Sequence, residues 1–369
     1  MTSEPAPIEI LLRLSQVEGI TTRHLYRLRT ADRTPLLPGA AGDAGGSIFR
    51  KAIDALTSRE AGEKASRILE TCGKAGIRVI PLGSGDYPAA LRTVPDAPLV
   101  LFRVGGGVTW ENSVAVVGSR APTQPAREFA CELASDLGAA GWTVVSGMAR
   151  GIDAAAHEGA LRGGGITAAV LGCGVDVVYP PEAGGLRSRI LERGALFSEY
   201  PPGTVPLPHH FPARNRIISG ISRGVVVVEA PSRSGALITA QLALDQGREV
   251  MAVPGSPLFP HTAGSNRLLR EGASPVTCAG DVIEALGWTL RSAGMESRER
   301  RILGFLSRPR HVGEIAEVLG IPPPELLPCL LEMEFRKLLE RRAGDYYKKC
   351  PAVRSTATDR VPEEGCPGL

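Results

Sequence analysis

The stretch VVSGMARGIDAAAH, residues 144–157, has the residue types of an anion-binding site. Its pattern predicts a buried strand, a tight turn at Ser146 and Gly147, and a helix that begins near Ile152. A strand-to-helix corner of this kind leaves backbone N–H groups unpaired at the positive end of the helix dipole. Arg150 adds a planar guanidinium that suits phosphate. An ordinary tight connection with a surface arginine explains the same residues, so the choice depends on the neighbouring segments.

A second stretch, HHFPARNRIISG at residues 209–220, has the residue types that bind single-stranded nucleic acid. Arg214, Asn215 and Arg216 place three planar hydrogen-bonding groups just before an apolar helix, and Phe211 precedes them with a ring that we expect to be partly exposed. Guanidinium groups hold phosphates while an aromatic ring stacks on a base. The alternative is structural, with Phe211 in the core and Asn215 as a helix cap.

Short β-branched segments alternate with helix-length segments between residues 113 and 287. Runs of this kind are typical of parallel strands that helices cover on both faces. The sequence therefore predicts a doubly wound parallel α/β sheet, in which ligands bind outside the carboxyl ends of the strands. The predicted strands are, in chain order, VAVV, TVVS, TAAVL, ALFSE, GVVVVEA, EVMAVP and PVT.

Small residues and arginines follow several of these strands, so we expect them to meet at one edge of the sheet. No dinucleotide signature fits, because the Gly-x-Gly after the third strand lacks its third glycine, and no GxxxxGK(S/T) motif occurs. The strand ends carry Gly118-Ser119-Arg120, Ser146-Gly147 with Arg150, Gly172-Cys173-Gly174, Glu199, Glu229 with Ser234-Gly235-Ala236, and Pro254-Gly255.

The composition indicates a chain that folds throughout. At 369 residues with 43% apolar composition, it has room for two or three domains. No run approaches the ~18 apolar residues of a membrane span, and the start, MTSEPAPIEI, lacks the basic region and apolar core of a signal peptide. We therefore expect a cytoplasmic protein without membrane association.

Several kinds of chemistry lack support in the sequence. Seven cysteines are scattered without a CxxC pair, and His209 and His210 are adjacent without ligand-spaced partners, so we expect no disulfide framework, no metal site and no cofactor. No lysine occurs between Gly105 and Gly294, which excludes a lysine Schiff base and a P-loop lysine there. The net charge of +3 is too small to indicate nucleic acid by itself.

Helical patterns precede and follow the α/β segment. We expect a helical, SAM- or helix-hairpin-helix-like domain over residues 1–107, in which the turn at Gly19 lacks the second glycine of the hairpin motif. The α/β domain is expected over residues 108–290. Three helices and a hairpin over residues 296–349 have the order of a winged helix, and residues 350–369 have the composition of a disordered tail.

The third helix of the winged-helix segment has an unusual polar face. In winged helices that recognise duplex DNA, this helix presents basic or amide side chains to the major groove. Here its polar positions include Glu325, Glu332 and Glu334, and basic residues begin only at Arg336. The sequence therefore indicates a protein contact or an accessory role for this helix.

Motifs across residues 77–280 are similar, in type and order, to those of the DNA-processing protein A (DprA, also called Smf) family. They are GDYPAALRTVPDAPLVLFRVG, VAVVGSR, VVSGMARGIDAAAH, AVLGCGVDVVYPPE, FSEYPPG, FPARNRIISGIS, VVVVEAPSRSGALITAQLAL, GREVMAVPG and GSNRLLREGA. The resemblance implies a Rossmann-like DNA-binding fold and a homodimer. It also implies a protein that takes up incoming single strands during natural transformation, protects them and helps load the RecA recombinase. No catalytic reaction is established for the family.

Position by position, the resemblance implies a strand-binding pocket built from the motifs GSR, SGMARG, FPARNR and SGALITA. One departure is Ala236, where the family often has serine, so a hydroxyl contact is lost there. The implied DNA-binding residues are Ser119, Arg120, Ser146, Gly147, Arg150, Gly151, Phe211, Arg214, Asn215, Arg216, Ser234, Gly235, Ala236 and Thr239.

The residue types suggest how such a pocket would work. Four arginines are expected to hold phosphates while Phe211 stacks on a base, which gives single-strand binding with little sequence preference. Asp153 and Glu199 are expected to orient these arginines and the loop amides. The four arginines are Arg120, Arg150, Arg214 and Arg216.

Two other functions fit parts of the sequence. A parallel sheet with a Ser-Gly-rich turn resembles the nucleotide phosphoribohydrolases of the lysine-decarboxylase-like group, in which Glu229 with Glu199 or Asp153 would form an acid/base pair at a glycosidic bond. That group's PGGxGT turn is absent, and the FPARNR segment has no obvious use in small-molecule hydrolysis. The other possibility is a scaffold whose winged helix recruits a partner.

Overall fold

The computed structural model describes residues 8–17, 20, 43–287, 302–303, 305–306, 308–335 and 338–350. The chain divides into two compact units, residues 1–279 and 280–369. A nine-stranded sheet lies in the first unit and a three-stranded sheet in the second. None of the helices in the described part of the chain combines the length and the apolar composition that a membrane crossing requires.

The large sheet is mixed. Its strands are β1 (Arg78–Pro81), β2 (Val100–Gly105), β3 (Ser113–Val117), β4 (Thr143–Ser146), β5 (Thr167–Val170), β6 (Ala195–Ser198), β7 (Gly224–Val227), β8 (Glu249–Ala252) and β9 (Ser274–Pro275). They are arranged in the order β1-β2-β6-β5-β4-β3-β7-β8-β9. The pairs β1–β2 and β2–β6 are antiparallel, and the other pairs are parallel.

The direction of winding reverses at β3. Strands β4, β5 and β6 lie on one side of β3, whereas β7, β8 and β9 lie on the other. The chain connections therefore diverge and leave a crevice between the carboxyl ends of β3 and β7, where doubly wound sheets bind ligands. This arrangement confirms the fold class predicted from the β-branched segments.

The sheet extends beyond the predicted α/β segment. Phe102 of β2 pairs with Ser198 of β6, and β1 pairs with β2. Leu101 and Phe102 are fully buried. Strand β2 also covers the edge of β6, which would otherwise expose unpaired backbone groups. The domain boundary predicted at residue 107 therefore separates two strands from the sheet to which they belong.

Helices occupy most connections between the strands. The α-helices described between residues 8 and 285 are α1 (Ile8–Ser15), α2 (Asp43–Thr57), α3 (Arg59–Lys74), α4 (Gln124–Ala139), α5 (Ile152–Arg162), α6 (Gly184–Arg193), α7 (His210–Ile221), α8 (Gly235–Asp245), α9 (Ala263–Arg270) and α10 (Ala279–Ala285). Helix α4 packs against α5, and α7 packs against α8. The second of the two helices predicted around Gly19 lies outside the described residues.

A small core joins the amino-terminal helices to the sheet. Leu11, Leu12 and Leu14 of α1 are buried in the same cluster as Ala65 of α3 and Phe102 of β2. This contact anchors α1 and α3 to the antiparallel part of the sheet.

The second unit contains the two-helix and hairpin part of the predicted winged helix. Its elements are β10 (Arg310–His311), α11 (Val312–Leu319), α12 (Pro323–Phe335), β11 (Leu339–Arg342) and β12 (Tyr346–Lys349), with the sheet order β10-β12-β11. Leu326, Leu330 and Met333 of α12 are buried, whereas Leu327 and Leu331 are exposed. Most of the first predicted helix, and the predicted tail beyond Cys350, lie outside the described residues.

Helices α4 and α5 approach so closely that only glycine fits at their crossing. A Cβ on Gly159 of α5 would lie 2.1 Å from the carbonyl oxygen of Cys131 on α4, whereas a Cβ on Gly73 of α3 meets no atom within 4 Å. The first position is therefore constrained by backbone contact, and the second is open.

We expect Gly159→Ala to lower the free energy of unfolding by about 1–3 kcal/mol, because the two helices must separate. Gly73→Ala should raise it by up to about 1 kcal/mol, because alanine restricts the unfolded chain without a clash. Urea unfolding of both variants beside the wild type measures this difference. Equal destabilisation by the two substitutions would contradict the close packing of α4 on α5.

Candidate nucleic-acid interface

A cleft of about 480 Å³ opens at the carboxyl edge of the sheet, at the reversal point between β3 and β7. Loops after β3, β4 and β7 and the first turns of α7 form its walls. A smaller pocket of about 60 Å³ lies beside it, and Arg120, Ala149 and Phe211 line both. The crevice expected from the strand order is therefore a real concavity.

The cleft and pocket bring together most of the site residues predicted from the sequence. Gly147 and Arg150 line the smaller pocket, whereas Ser146, Gly151 and Arg216 line neither. The predicted residues that line the cleft are Ser119, Arg120, Phe211, Arg214, Asn215, Ser234, Gly235, Ala236 and Thr239.

The corner between β4 and α5 is held by its own carboxylate. Asp153 accepts hydrogen bonds from the backbone N–H groups of Gly147 (3.1 Å) and Ala149 (3.4 Å). These two amides are therefore not free for an anion, contrary to the expectation that they point outward. Asp153 orients the loop amides, as predicted, and burial raises the pKa of its carboxyl.

Ser146 and Gly151 stabilise the conformation of the same corner between β4 and α5. The Ser146 hydroxyl is buried and donates to the carbonyl oxygen of Val116 at 2.7 Å. Gly151 has a φ of +79°, and a Cβ there would lie 2.3 Å from the carbonyl oxygen of Ser119. Both residues therefore shape the loop, and the buried Ser146 hydroxyl is engaged within the protein.

The FPARNR segment lies inside α7, not before it as its sequence suggested. Successive side chains of a helix point about 100° apart. Arg214, Asn215 and Arg216 consequently face three different surroundings, and only Asn215 is a partly exposed member of the cleft wall. Its side-chain amide donates to the carbonyl oxygen of Gly235 at 3.4 Å.

Arg214 lies beneath the cleft and is only 3% exposed. Its Nη1 donates to the carbonyl oxygens of Gly147, at 2.7 Å, and of Val170. Burial lowers the pKa of Arg214 to about 10, and the carboxylate of Asp153 acts in the opposite direction. The guanidinium predicted to clamp a phosphate therefore joins α7 to the ends of β4 and β5.

Arg216 makes a second structural contact. Its two terminal nitrogens donate to the Glu199 carboxylate at 2.8 and 2.7 Å, and its Nε donates to the carbonyl oxygen of Asp96 at 3.0 Å. Burial disfavours the charged guanidinium, but Glu199 outweighs this and raises the pKa of Arg216. Glu199 thus orients an arginine as predicted, but that arginine is not in the cleft.

Arg120 and Phe211 stand together at the mouth of the cleft. Arg120 is exposed, and its guanidinium carbon lies 5.5 Å from the centroid of the half-buried Phe211 ring. Within the part of the chain that the structure describes, Arg120 forms no ion pair. A charged group and an aromatic face are therefore both available at this rim.

The opposite wall is the start of α8. Ser234 caps this helix, because its hydroxyl accepts the backbone N–H of Ala236 at 3.3 Å. Gly235 is exposed and lines the cleft at the first position of α8, the positive end of the helix dipole. Arg233 also lines the cleft, is exposed, and has no ion-pair partner among the described residues.

Arg233 was missed by the sequence analysis. It directly precedes the predicted SGALITA segment and follows the fifth predicted strand, so its place at a strand end was a usable signal.

Arg150 is exposed but already paired. Its Nε and Nη2 contact the Glu182 carboxylate, the latter at 3.2 Å, and both side chains are more than half exposed. An exposed pair of this kind is weak and exchanges readily for another anion. Arg150 therefore lines the smaller pocket with Glu182 as its own internal counterion.

The carboxylates proposed for a hydrolase have structural partners. Glu229 is 2% exposed, and its two oxygens accept from the N–H (3.0 Å) and the hydroxyl (2.7 Å) of Thr123. Glu199 holds Arg216, and Asp153 holds the β4–α5 loop. Among the described residues, no group of three or more His, Cys, Asp or Glu could hold a metal ion.

We expect Arg216→Ala to lower the free energy of unfolding by roughly 3 kcal/mol, because it leaves the Glu199 carboxylate uncompensated and mostly buried. Arg150→Ala is the matched control: its exposed pair with Glu182 contributes little, so the melting temperature should not change. Thermal and urea unfolding measure both. A stable Arg216→Ala variant would contradict the structural role.

Comparisons with known proteins agree with this architecture. The family model described as DNA recombination-mediator protein A matches residues 78–287, and the DprA winged helix domain matches residues 289–345. DNA processing protein DprA of Bacillus subtilis is 40% identical over 60% of this chain and 76% of its own length.

Two solved structures of DNA processing protein A resemble the chain. That from Streptococcus pneumoniae has a TM-score of 0.61 and 33% identity, covering 76% of this chain and 98% of its own. That from Helicobacter pylori, described for its single-stranded DNA binding mode, has a TM-score of 0.51 and 29% identity, covering 57% and 95%. The chain belongs to the DNA processing protein A (DprA/Smf) family.

Proposed function

We propose that this protein binds single-stranded DNA, with little sequence preference, in the cleft between β3 and β7. The observation that carries the proposal is the composition of the cleft, which is lined by the half-buried ring of Phe211 and by Arg120 and Arg233, two exposed arginines without an ion pair among the described residues. Guanidiniums bind phosphates of any sequence, and an aromatic ring stacks on any base. The single-strand binding described for the H. pylori relative supports the same assignment.

The division of work among the arginines follows from burial. Arg120 and Arg233 are exposed and contact phosphates directly, together with the N–H of Gly235 at the start of α8. Arg214 adds positive potential from beneath the cleft floor while its hydrogen bonds hold the floor together. Arg216 acts at a distance, through the position of α7.

The proposal extends to the wider role of the family. The protein acts in the cytoplasm as a homodimer that protects incoming single strands and passes them to the RecA recombinase in natural transformation or general recombination. Membership of the DNA processing protein A family supports this role. No catalysis is part of the proposal, since the three carboxylates near the cleft are engaged by Thr123, Arg216 and the β4–α5 loop.

The test is equilibrium binding of the full chain to labelled oligo-dT, mixed-sequence single strands and duplex, over a salt series. Single strands should bind tightly and alike. Arg120→Ala and Arg233→Ala should each weaken binding of all single strands and reduce the salt slope by about 0.7. Arg189→Ala, an exposed arginine on α6 outside both pockets, is the matched control and should bind normally.

Equal affinity for duplex and single strands would overturn the proposal, as would unchanged binding by both cleft variants. A loss confined to particular sequences would instead show that base edges are recognised.

The Arg150–Glu182 pair generates a separate prediction. Because Glu182 already neutralises Arg150, the pair brings little net positive charge to a phosphate that binds there, so fewer of the cations condensed on the DNA are released. Arg150→Ala should therefore reduce the salt slope less than Arg120→Ala does, and Glu182→Gln should tighten binding at low salt. Weaker binding by Glu182→Gln would show that the carboxylate positions Arg150 instead of competing for it.

A further inference from the structure

Tyr179 forms a second aromatic surface beside Phe211, outside the site that the sequence predicted. The two ring centroids are 5.3 Å apart with an interplanar angle of 36°. Tyr179 is 39% exposed, which is high for a large aromatic residue that contacts another ring. Tyr179, Phe211, Arg120 and Arg150 all line the smaller pocket.

The ring spacing determines how bases could meet this pair. A base inserted between two rings needs a separation of about 7 Å, twice the carbon contact distance of ~3.5 Å. At 5.3 Å the rings already touch, so nothing inserts between them. A base can therefore stack only on the part of each ring that its neighbours leave uncovered, and we call the two rings together the platform.

The loop that carries Tyr179 is fixed in place. Both carboxylate oxygens of Asp176 accept the N–H of Gly203 at 2.9 Å, and the N–H of Gly174 donates to the carbonyl oxygen of Thr204 at 2.9 Å. Arg187 also donates to the carbonyl oxygen of Val175 at 3.0 Å. A ring on a fixed loop loses little conformational entropy when it binds a ligand.

The charges around the platform match a polynucleotide backbone. Arg120 lies over the Phe211 ring, and Arg150 lines the same pocket as Tyr179. A strand that stacks one base on Phe211 therefore has a second ring for the adjacent base, with two guanidinium groups in the same pocket for its phosphates.

We infer that Tyr179 is a second base-stacking residue and that the strand runs from the cleft across Phe211 onto Tyr179. This inference rests on the proposed single-strand binding and extends its footprint by one base.

The test compares Tyr179→Ala, Tyr179→Phe and Val178→Ala in the full chain, with oligo-dT and an abasic strand of the same length. Tyr179→Ala should weaken oligo-dT binding about tenfold or more without changing the salt slope. Tyr179→Phe keeps the ring and should bind normally. Val178→Ala, an equally exposed neighbour without a ring, should also bind normally. The abasic strand, which has phosphates but no bases, should bind the Tyr179→Ala variant and the wild type equally.

Normal oligo-dT binding by Tyr179→Ala would overturn the inference, and so would an equal loss on the abasic strand, because that loss is not stacking. Melting temperatures of the three variants should match the wild type, which separates stacking from misfolding. Arg120→Ala keeps the two proposals distinct: if it lowers affinity while Tyr179→Ala does not, single-strand binding stands and only the second stacking position fails.

Discussion

The buried guanidinium of Arg214 is the interaction on which the candidate site depends. It bonds to carbonyl oxygens at the ends of β4 and β5 from a helix that begins after β6, so one side chain fixes three elements relative to one another. Gly147 has no side chain because a Cβ there would lie 2.3 Å from Nη1 of Arg214. Asp153 completes the arrangement by holding the loop that supplies one of those carbonyl oxygens. The cleft floor is thus a buried polar network, in which the Nε of Arg214 has no hydrogen-bond partner among the described residues.

The arginines around the cleft consequently have different roles, which depend on how deeply each side chain is buried. Arg214 and Arg216 have side chains enclosed by the fold and bond to carbonyl groups and to Glu199. Arg120 and Arg233 stand at the rim without ion-pair partners among the described residues, where a ligand can reach them. Loss of a buried arginine and loss of a rim arginine would both reduce binding, but only the first would do so by deforming the cleft.

The sequence was sufficient for the sheet and for the edge at which the site lies. Unalternating β-branched runs specify strands buried on both faces, and small residues after them mark the carboxyl edge. It was not sufficient for the antiparallel strands at residues 78–105, because pairing with β6 is a long-range choice that local pattern does not encode.

The FPARNR arginines were misplaced for a similar reason. Inside α7 the successive side chains of Arg214, Asn215 and Arg216 point about 100° apart, so they do not form the single surface expected of a segment before the helix. The position of Tyr179 beside Phe211 depends on the path of its loop, which no local pattern specifies.

The hydrogen bonds of Glu229 have a consequence for the kind of polymer that fits this edge. Its carboxylate is on the strand-end segment after β7 but holds Thr123, which ends the loop that carries Ser119 and Arg120. The N–H of Ser119 also donates to the carbonyl oxygen of Glu229, at 2.7 Å. The two walls of the cleft are therefore tied together, and their spacing is set when the chain folds. A ligand must then conform to the protein. A single strand bends at every nucleotide, whereas a duplex resists bending over about 150 base pairs, so under the proposed function the fixed spacing favours the flexible strand without recognition of any base.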